Sequence, residues 1–310
     1  MLHLRVIAPT ELRESVIDVL RRDKGVTHVV VHRDAALDPS GDEVTADIAR
    51  EAANDVIDDL KELGLKRRGA ITLDVVDTVV STAAYRAEKE AEGDPADAVI
   101  WDELAARTRE ESSLNVTYLT FLSLACLIAA VGVVTDSPVT VVGAMVVGPE
   151  FGPLAALAVA IVRRRGYLAR RAALALLVGF PLAMFVTAVG VLVGEAVGWI
   201  TLATTKQLEE VDFIFQVGPL SLVVALFAGA AGMLSLVSAK SSALVGVFIS
   251  VTTVPAAGFA VVAATVGDWD IAAKSATQLG VNLAGIVLAG VLVLWVYLRL
   301  TSHHRAVRRT

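Results

Sequence analysis

The pattern of apolar and polar residues divides the chain into a short alternating part and a long apolar part. Up to about residue 80, apolar residues recur at strand or helix spacing, and the predicted order of elements is βαββαβ. From about residue 114, stretches of about twenty apolar residues follow one another, each long enough to cross a bilayer. The pattern therefore predicts a small soluble domain joined to a polytopic α-helical membrane domain.

The first part has the element order of an α+β ferredoxin-like domain, which we expect over residues 1–80. A turn is predicted over Asp38–Asp42, where Asp, Pro, Ser and Gly cluster. Charged helical sequence follows, so a helical connector is expected over residues 81–113. The predicted elements are strand Leu2–Ala8, helix Glu11–Asp23, strands Val26–His32 and Glu43–Ile48, helix Ala49–Leu63 and strand Ala70–Val76.

Six spans are predicted in a membrane domain over residues 114–300, with a basic tail over residues 301–310. Arginines crowd the link after the second span and the end of the sixth, whereas Asp and Glu dominate the opposite loops. Because cytoplasmic loops carry excess Lys and Arg, we expect both termini in the cytoplasm and a multi-pass protein of the plasma membrane. The spans are Leu114–Val134, Val139–Val162, Ala172–Gly194, Val217–Val237, Ala243–Val266 and Gln278–Leu298.

The middle of the second span does not suit an ordinary helix. Pro149 and Pro153 each remove a backbone donor, and Gly148 and Gly152 weaken the helix further. Between the prolines lies Glu150, a carboxylate deep in an apolar span, where ionisable residues are costly and usually functional. The alternative is a kinked packing helix in which Glu150 is protonated or paired.

The fifth span resembles the second at an offset of 102–103 residues, which aligns Pro153 with Pro255. This indicates two inverted halves, three plus three spans, of the kind found in transporters; shared Ala, Val and Gly composition is the alternative. Thr252 and Thr253 precede Pro255, and Asn282 needs a partner in the sixth span. The predicted substrate or ion pathway comprises Gly148, Pro149, Glu150, Gly152, Pro153, Thr252, Thr253, Pro255 and Asn282.

Composition agrees with a membrane protein, since 55% of the 310 residues are hydrophobic. Residues 1–113 hold 15 Lys and Arg against 25 Asp and Glu, and this acidic balance argues against a nucleic-acid partner. Cys126 is the single cysteine, which excludes an intramolecular disulfide. A metal site from His3, His28 and His32 is conceivable, but ordinary strand histidines are the simpler interpretation.

Three ordered motifs resemble the DUF389 family of membrane proteins: GAMVVGPEFGP (Gly143–Pro153), SSALVGVFISVTTVP (Ser241–Pro255) and LGVNLAGIVLAG (Leu279–Gly290). The resemblance implies a bacterial or archaeal integral membrane protein and supplies no substrate, cofactor or catalytic residue. Many members of the family have an apolar residue at the position of Glu150, so the resemblance does not imply a carboxylate mechanism for the family.

The sequence thus indicates a transporter or channel for a small solute or ion, with a cytoplasmic domain that regulates or assembles it. The alternative is a membrane-anchored sensor or scaffold that transports nothing. We do not expect an enzyme, because HExxH, paired intramembrane aspartates and a nucleophile–base pair are missing. Expected partners are the lipid bilayer, further copies of the chain and a small-molecule regulator at the N-terminal domain; no cofactor is indicated.

Overall fold

The computed structural model of the protein describes residues 1–91, 93, 98–199, 219–237 and 253–308, without the side chains of residues 219, 220 and 300–308. The chain forms two compact units, one made mainly of Met1–Asp102 and the other of Glu103–Leu236 with Ser241–Thr310.

A four-stranded antiparallel sheet organises the first unit. Its strands are β1 (Leu2–Ala8), β2 (Val26–Leu37), β3 (Ser40–Ile48) and β4 (Ala70–Val75), and their order across the sheet is β2-β3-β1-β4. The central strand β1 alternates between buried and more exposed residues, as a strand covered on one face does. The predicted succession of strands and helices is therefore present in this unit.

The helices of this unit supply the other layer of its core. They are α1 (Arg13–Arg22, after a 3-10 turn at Thr10–Leu12), α2 (Arg50–Glu62) and the short α3 (Leu65–Arg68). Residues such as Val16 and Leu20 of α1 and Leu60 of α2 are fully buried against the inner side of the sheet. Helices α1 and α2 each present one apolar stripe, as the sequence pattern predicts, whereas the short α3 was not predicted.

The hairpin between β2 and β3 is tighter than the sequence predicts. Strand β2 continues to Leu37 and β3 begins at Ser40, so Gly41 and Asp42 pair in the sheet instead of forming the turn. Asp42 is fully buried, and its carboxylate accepts hydrogen bonds from the Arg13 guanidinium (3.2 Å) and the Asp34 backbone N–H (2.8 Å). These long-range partners explain why residues of turn type lie in a strand.

The predicted connector contains two helices, α4 (Thr82–Glu90) and α5 (Trp101–Glu111). Just before α5, the Asn54 amide donates to the Val99 carbonyl (2.7 Å) and accepts from the Trp101 N–H (3.2 Å). Ile100, between these two contacts, is 3% exposed and lies in the core beneath the sheet. Part of the sequence that we assign to the connector thus completes the core of the first unit.

Replacing Ile100 with alanine is therefore expected to destabilise the fragment Met1–Asp102 by about 2–4 kcal/mol, since it leaves a cavity in the core. Urea unfolding followed by circular dichroism measures the change. Val80→Ala is the control, because Val80 is 89% exposed and should be near neutral. Equal unfolding midpoints for wild type and Ile100→Ala would show that the connector is not part of this core.

The second unit is helical. Among the residues that the structure describes, three helices are long and apolar enough to cross a membrane: α6 (Val116–Val134), α9 (Gly166–Ala196) and the stretch Trp269–Arg299 of the last helix. A fourth span is formed if the bent pair α7 (Pro138–Val147) and α8 (Phe151–Val162) is counted as one. These apolar helices indicate a membrane-associated protein.

In the described residues, two shorter apolar helices lie within the predicted fourth and fifth spans. Helix α10 covers Pro219–Val237 and α11 covers Val254–Thr265, and the last helix, α12, runs over Trp269–Arg308. The first part of the predicted fifth span lies outside the described residues. The described part of the chain therefore gives three candidate spans, or four with the bent pair, and the remaining two predicted spans rest on the sequence.

Candidate functional site

The second predicted span is broken where the sequence predicts it. Helix α7 ends at Val147, α8 begins at Phe151, and the two are bent by 53°. Gly148 has extended backbone geometry (φ −64°, ψ 125°), and Pro149 next to it cannot donate a helical hydrogen bond. Glu150 is the residue that immediately precedes α8. The two prolines and the glycine therefore place a carboxylate at the break.

Glu150 is 1% exposed, and its carboxylate contacts the start of another helix. Its Oε1 accepts a hydrogen bond of 2.6 Å from the Thr253 hydroxyl, and Thr253 is fully buried. Thr253 immediately precedes α11, just as Glu150 precedes α8. Two helices thus begin at this hydrogen bond. The N-terminus of a helix favours negative charge, such as that of a carboxylate.

Gly148 and Gly152, the two glycines near the break, allow neighbouring groups to pack closely against the backbone. A Cβ on Gly148 would collide with the Glu150 carboxylate and lie 2.9 Å from Val254 Cγ2, so the glutamate folds back over this glycine. A Cβ on Gly152 would lie 3.0 Å from the Glu111 carbonyl oxygen. Larger residues at either position would displace the chain around Glu150.

The remaining predicted site residues fall into three groups. Pro153 and Pro255 are buried in the first turns of α8 and α11, where a missing N–H leaves no helical bond unmade. Asn282 is fully buried on α12, and its Oδ1 accepts from the Gln278 amide at 3.0 Å. Thr252 lies outside the described residues. The structure therefore joins Glu150 directly to Thr253, and the role of each residue in transport stays a prediction.

Tyr118 is a neighbour of this site that the sequence did not indicate. It lies near the start of α6, is 5% exposed, and interacts electrostatically with Glu150. Its buried hydroxyl has no hydrogen-bond partner among the described residues. A tyrosine at the end of an apolar span suggests an interfacial anchor, so only the packing of α6 identifies it as part of the site.

In the first unit, two of the three histidines meet on one carboxylate. His3 Nδ1 lies 2.8 Å and His28 Nδ1 2.7 Å from the oxygens of Asp47, whereas His32 pairs with Glu43 in the sheet register. Burial opposes ionisation of Asp47, but the hydrogen bonds to His3 and His28 outweigh it and lower the pKa of this carboxyl. No group of three or more His, Cys, Asp or Glu suited to a metal occurs within the described part of the chain.

Comparison with known proteins gives a family-level match in the apolar part of the chain. Residues 145–288 match the family model DUF389, a domain of unknown function. No significant match to the chain is found among the curated proteins or the solved structures. The matched region contains the bend between α7 and α8, Glu150, Thr253 and Asn282. Over residues 145–288 the chain is therefore similar to DUF389, the family that its sequence motifs resemble.

Proposed function

We propose that this protein is a transporter or channel for a small solute or ion, with a cytoplasmic N-terminal domain that regulates or assembles it. The observation that carries this proposal is the buried carboxylate of Glu150, which lies at a helix break and is hydrogen-bonded to Thr253. Broken helices with polar groups at membrane depth are tolerated where they line a cavity or a transport site. A helix that served packing alone would not need a carboxylate there.

The proposed topology has six spans, with both termini in the cytoplasm of a plasma-membrane protein. It is supported by the spanning helices, the bent pair and the two shorter apolar helices, Ser221–Val237 and Val254–Thr265. The orientation rests on the arginines between α8 and α9, set against the acidic residues of the opposite loops.

The inverted repeat is supported by the position of the hydrogen bond. Glu150 and Thr253 are 103 residues apart, which is within the offset that aligns the second and fifth spans. Each residue immediately precedes the second half of its span. Residues related by a two-fold axis in the membrane plane meet when they lie near that axis, so this contact suits two inverted halves.

For the N-terminal domain we propose a ferredoxin-like fold that pairs with other copies or binds a small regulator. The strand order β2-β3-β1-β4, with helices against one face, supports this fold. The other face carries partly exposed polar residues, including Arg5, Glu43 and Thr45. Such a face can meet a second sheet or a polar ligand, which makes a homo-oligomer the expected state.

The proposal predicts that Glu150→Gln keeps the fold. The substitution should lower the flux or shift its pH dependence, because it removes a titratable group from the pathway. The measurement is uptake of inorganic ions and small organic solutes by proteoliposomes between pH 5.5 and 8.5. We expect at least a roughly tenfold loss, or a displaced pH profile, for the solute that the wild type carries.

Glu195→Gln is the matched control, since it is the same change at an exposed residue near the end of α9. Glu150→Leu should also fold, since the resemblance implies apolar residues at this position in the family. Unchanged flux in both Glu150 variants would remove Glu150 from the mechanism. Absence of flux for every solute in the wild type would favour the membrane-anchored sensor instead.

A further inference from the structure

A chain of hydrogen-bonded side chains in the first unit links β3, β2 and the residue that precedes α4. Ser81 Oγ lies 2.8 Å from His28 Nε2, and His28 Nδ1 lies 2.7 Å from Asp47 Oδ2. In the sequence His28 is 19 residues from Asp47 and 53 residues from Ser81, so only folding brings the three together. The folded unit thus contains a nucleophile–base pair that the sequence does not show.

The chemistry of the three groups fixes the direction of the hydrogen bonds when the imidazole is neutral. An ionised carboxylate can only accept, so His28 Nδ1 carries the ring proton and donates it to Asp47. The other nitrogen, Nε2, then accepts a hydrogen bond from the Ser81 hydroxyl. A serine bonded to an imidazole that a carboxylate orients is the arrangement that serine hydrolases use.

Strand β2 is distorted at the residue that supplies the imidazole. Thr27 pairs with Asp47 in the sheet, so a regular strand would direct Thr27 to the face of Asp47 and His28 to the opposite face. Instead, the register shifts between Thr27 and Val30, and His28 has a φ of 51°, which is uncommon for a residue other than glycine. This irregularity turns the imidazole to Asp47. Bulges next to active sites re-aim side chains in the same way.

Asp47 binds a second imidazole through its other carboxylate oxygen. His3 on β1 pairs with Asp47 in the sheet, and its Nδ1 lies 2.8 Å from Asp47 Oδ1. Both carboxylate oxygens therefore have a partner on a neighbouring strand, which fixes the carboxylate that orients His28. Because His3 and His28 bind the same carboxylate, one is a matched control for the other.

Ser81 is also the N-cap of α4, and this role orients its hydroxyl. Its Oγ accepts a hydrogen bond of 3.4 Å from the Ala84 N–H. Thr82 and Ala83 are the first two residues of the helix, so no carbonyl of the helix accepts from their N–H groups. N–H groups beside a nucleophile stabilise the negative charge that develops on a carbonyl oxygen under attack.

We propose that Ser81, His28 and Asp47 form the active site of a serine esterase that acts on small esters of carboxylic acids. This activity goes beyond the proposed transport function and does not depend on it. The side chain of His28 is 36% exposed, so an ester can reach the site from water. Val80 and Tyr85, which are 89% and 62% exposed, lie one residue before and about one turn after Ser81 and suit a short apolar acyl chain.

The reaction needs only the ester and water. Ser81 Oγ attacks the carbonyl carbon while its proton moves to His28 Nε2, and Asp47 stabilises the imidazolium that forms. The bond between this carbon and the alcohol oxygen breaks, and the alcohol leaves with the proton from Nε2. A water molecule then gives a proton to Nε2 and attacks the acyl carbon. The carboxylic acid leaves as Ser81 Oγ takes the proton back.

The test uses the full-length protein in detergent micelles with two probes, p-nitrophenyl butyrate and a fluorophosphonate. The first reports ester hydrolysis, and the second bonds covalently to an activated serine oxygen with loss of fluoride. We expect hydrolysis above that of buffer with detergent, and labelling of Ser81 in peptide mass spectra. Ser137 is the internal control, because it caps α7 with the same 3.4 Å bond but its Oγ accepts from the Thr140 hydroxyl instead of contacting an imidazole.

Matched substitutions then test the role of the base. His28→Asn should lower hydrolysis and labelling at least about 100-fold through loss of the general base, while asparagine tolerates the positive φ. His3→Asn should change both rates little. Ser81→Asp should abolish both, although it keeps a good N-cap.

The proposal is overturned if Ser81 in the wild type is not labelled, if Ser137 is labelled equally, or if His28→Asn reacts like the wild type. Each of these results would leave the three residues with only the structural role of attaching α4 to the sheet. Labelling of Ser81 in the wild type does not require any variant to be stable, so a variant that fails to fold does not prevent the decision.

Discussion

Thr253→Val is expected to destabilise the membrane domain by about 1–3 kcal/mol, although valine has nearly the same shape as threonine. The substitution removes the hydroxyl that donates to Glu150 Oε1 at 2.6 Å, in a place where both side chains are at most 1% exposed. A buried polar group that loses a partner costs its desolvation free energy, and more when it is charged. Thermal and chemical unfolding in detergent measure the change.

Thr187→Val is the matched control. Thr187 is also fully buried, but its hydroxyl donates to the Ala183 carbonyl of its own helix, so no side chain loses a partner. A double-mutant cycle with Glu150→Leu isolates the pair, because Thr253→Val should be close to neutral once the carboxylate is gone. If the two threonine variants were equally stable, the Glu150–Thr253 bond would have no energetic role.

Gly258→Leu is expected to destabilise the helical unit at least as strongly as Thr253→Val. Gly258 of α11 lies against α6, where an added Cβ would be 2.8 Å from Ala129 Cβ and 3.1 Å from the Ala130 nitrogen. The second atom belongs to the backbone of a helix, so the clash cannot be relieved by a rotamer change. Overpacking of this kind costs about 1–3 kcal/mol or more, and the contact moves α11 and hence Thr253.

Gly280→Leu is the control for this substitution. It lies on α12, and no atom of the described residues is within 4 Å of its added Cβ. We expect the unfolding temperature to fall by about 10 °C or more for Gly258→Leu and to change by only a few degrees for Gly280→Leu. Gly258→Ala should lie between them. Comparable stability of the Gly258 and Gly280 variants would contradict the close packing of α11 on α6.

The break in the second span could be predicted because its causes are local. Pro149 removes a donor and clashes with the preceding turn whatever surrounds it, and Gly148 adds conformational freedom. The positions of α6 and α9 likewise follow from the length of their apolar stretches. The resemblance to DUF389, which rests on motifs that include this break, is confirmed by the match of residues 145–288 to that family model.

The extent of the core of the first unit was harder to predict, since it depends on contacts between residues far apart in the chain. Ile100 lies far along the chain from the sheet, yet it is buried beneath it, and Asn54 of α2 fixes the backbone on either side. Asp42 lies in a stretch whose composition is typical of a turn. Its hydrogen bonds with Arg13 and with the Asp34 N–H nevertheless stabilise it within a strand. Local propensity yields to such contacts because burial and hydrogen bonding contribute more free energy than propensity does.

The sequence by itself determined that this chain has an acidic domain with four strands, long apolar helices and a carboxylate at a helix break. These properties depend on periodicity and on residues adjacent in the chain. Only the tertiary structure decided that Thr253 is a hydrogen-bond partner of Glu150 and that Tyr118 lies nearby. The physical reason is that packing determines which side chains of two helices a hundred residues apart face each other, and packing depends on the whole fold.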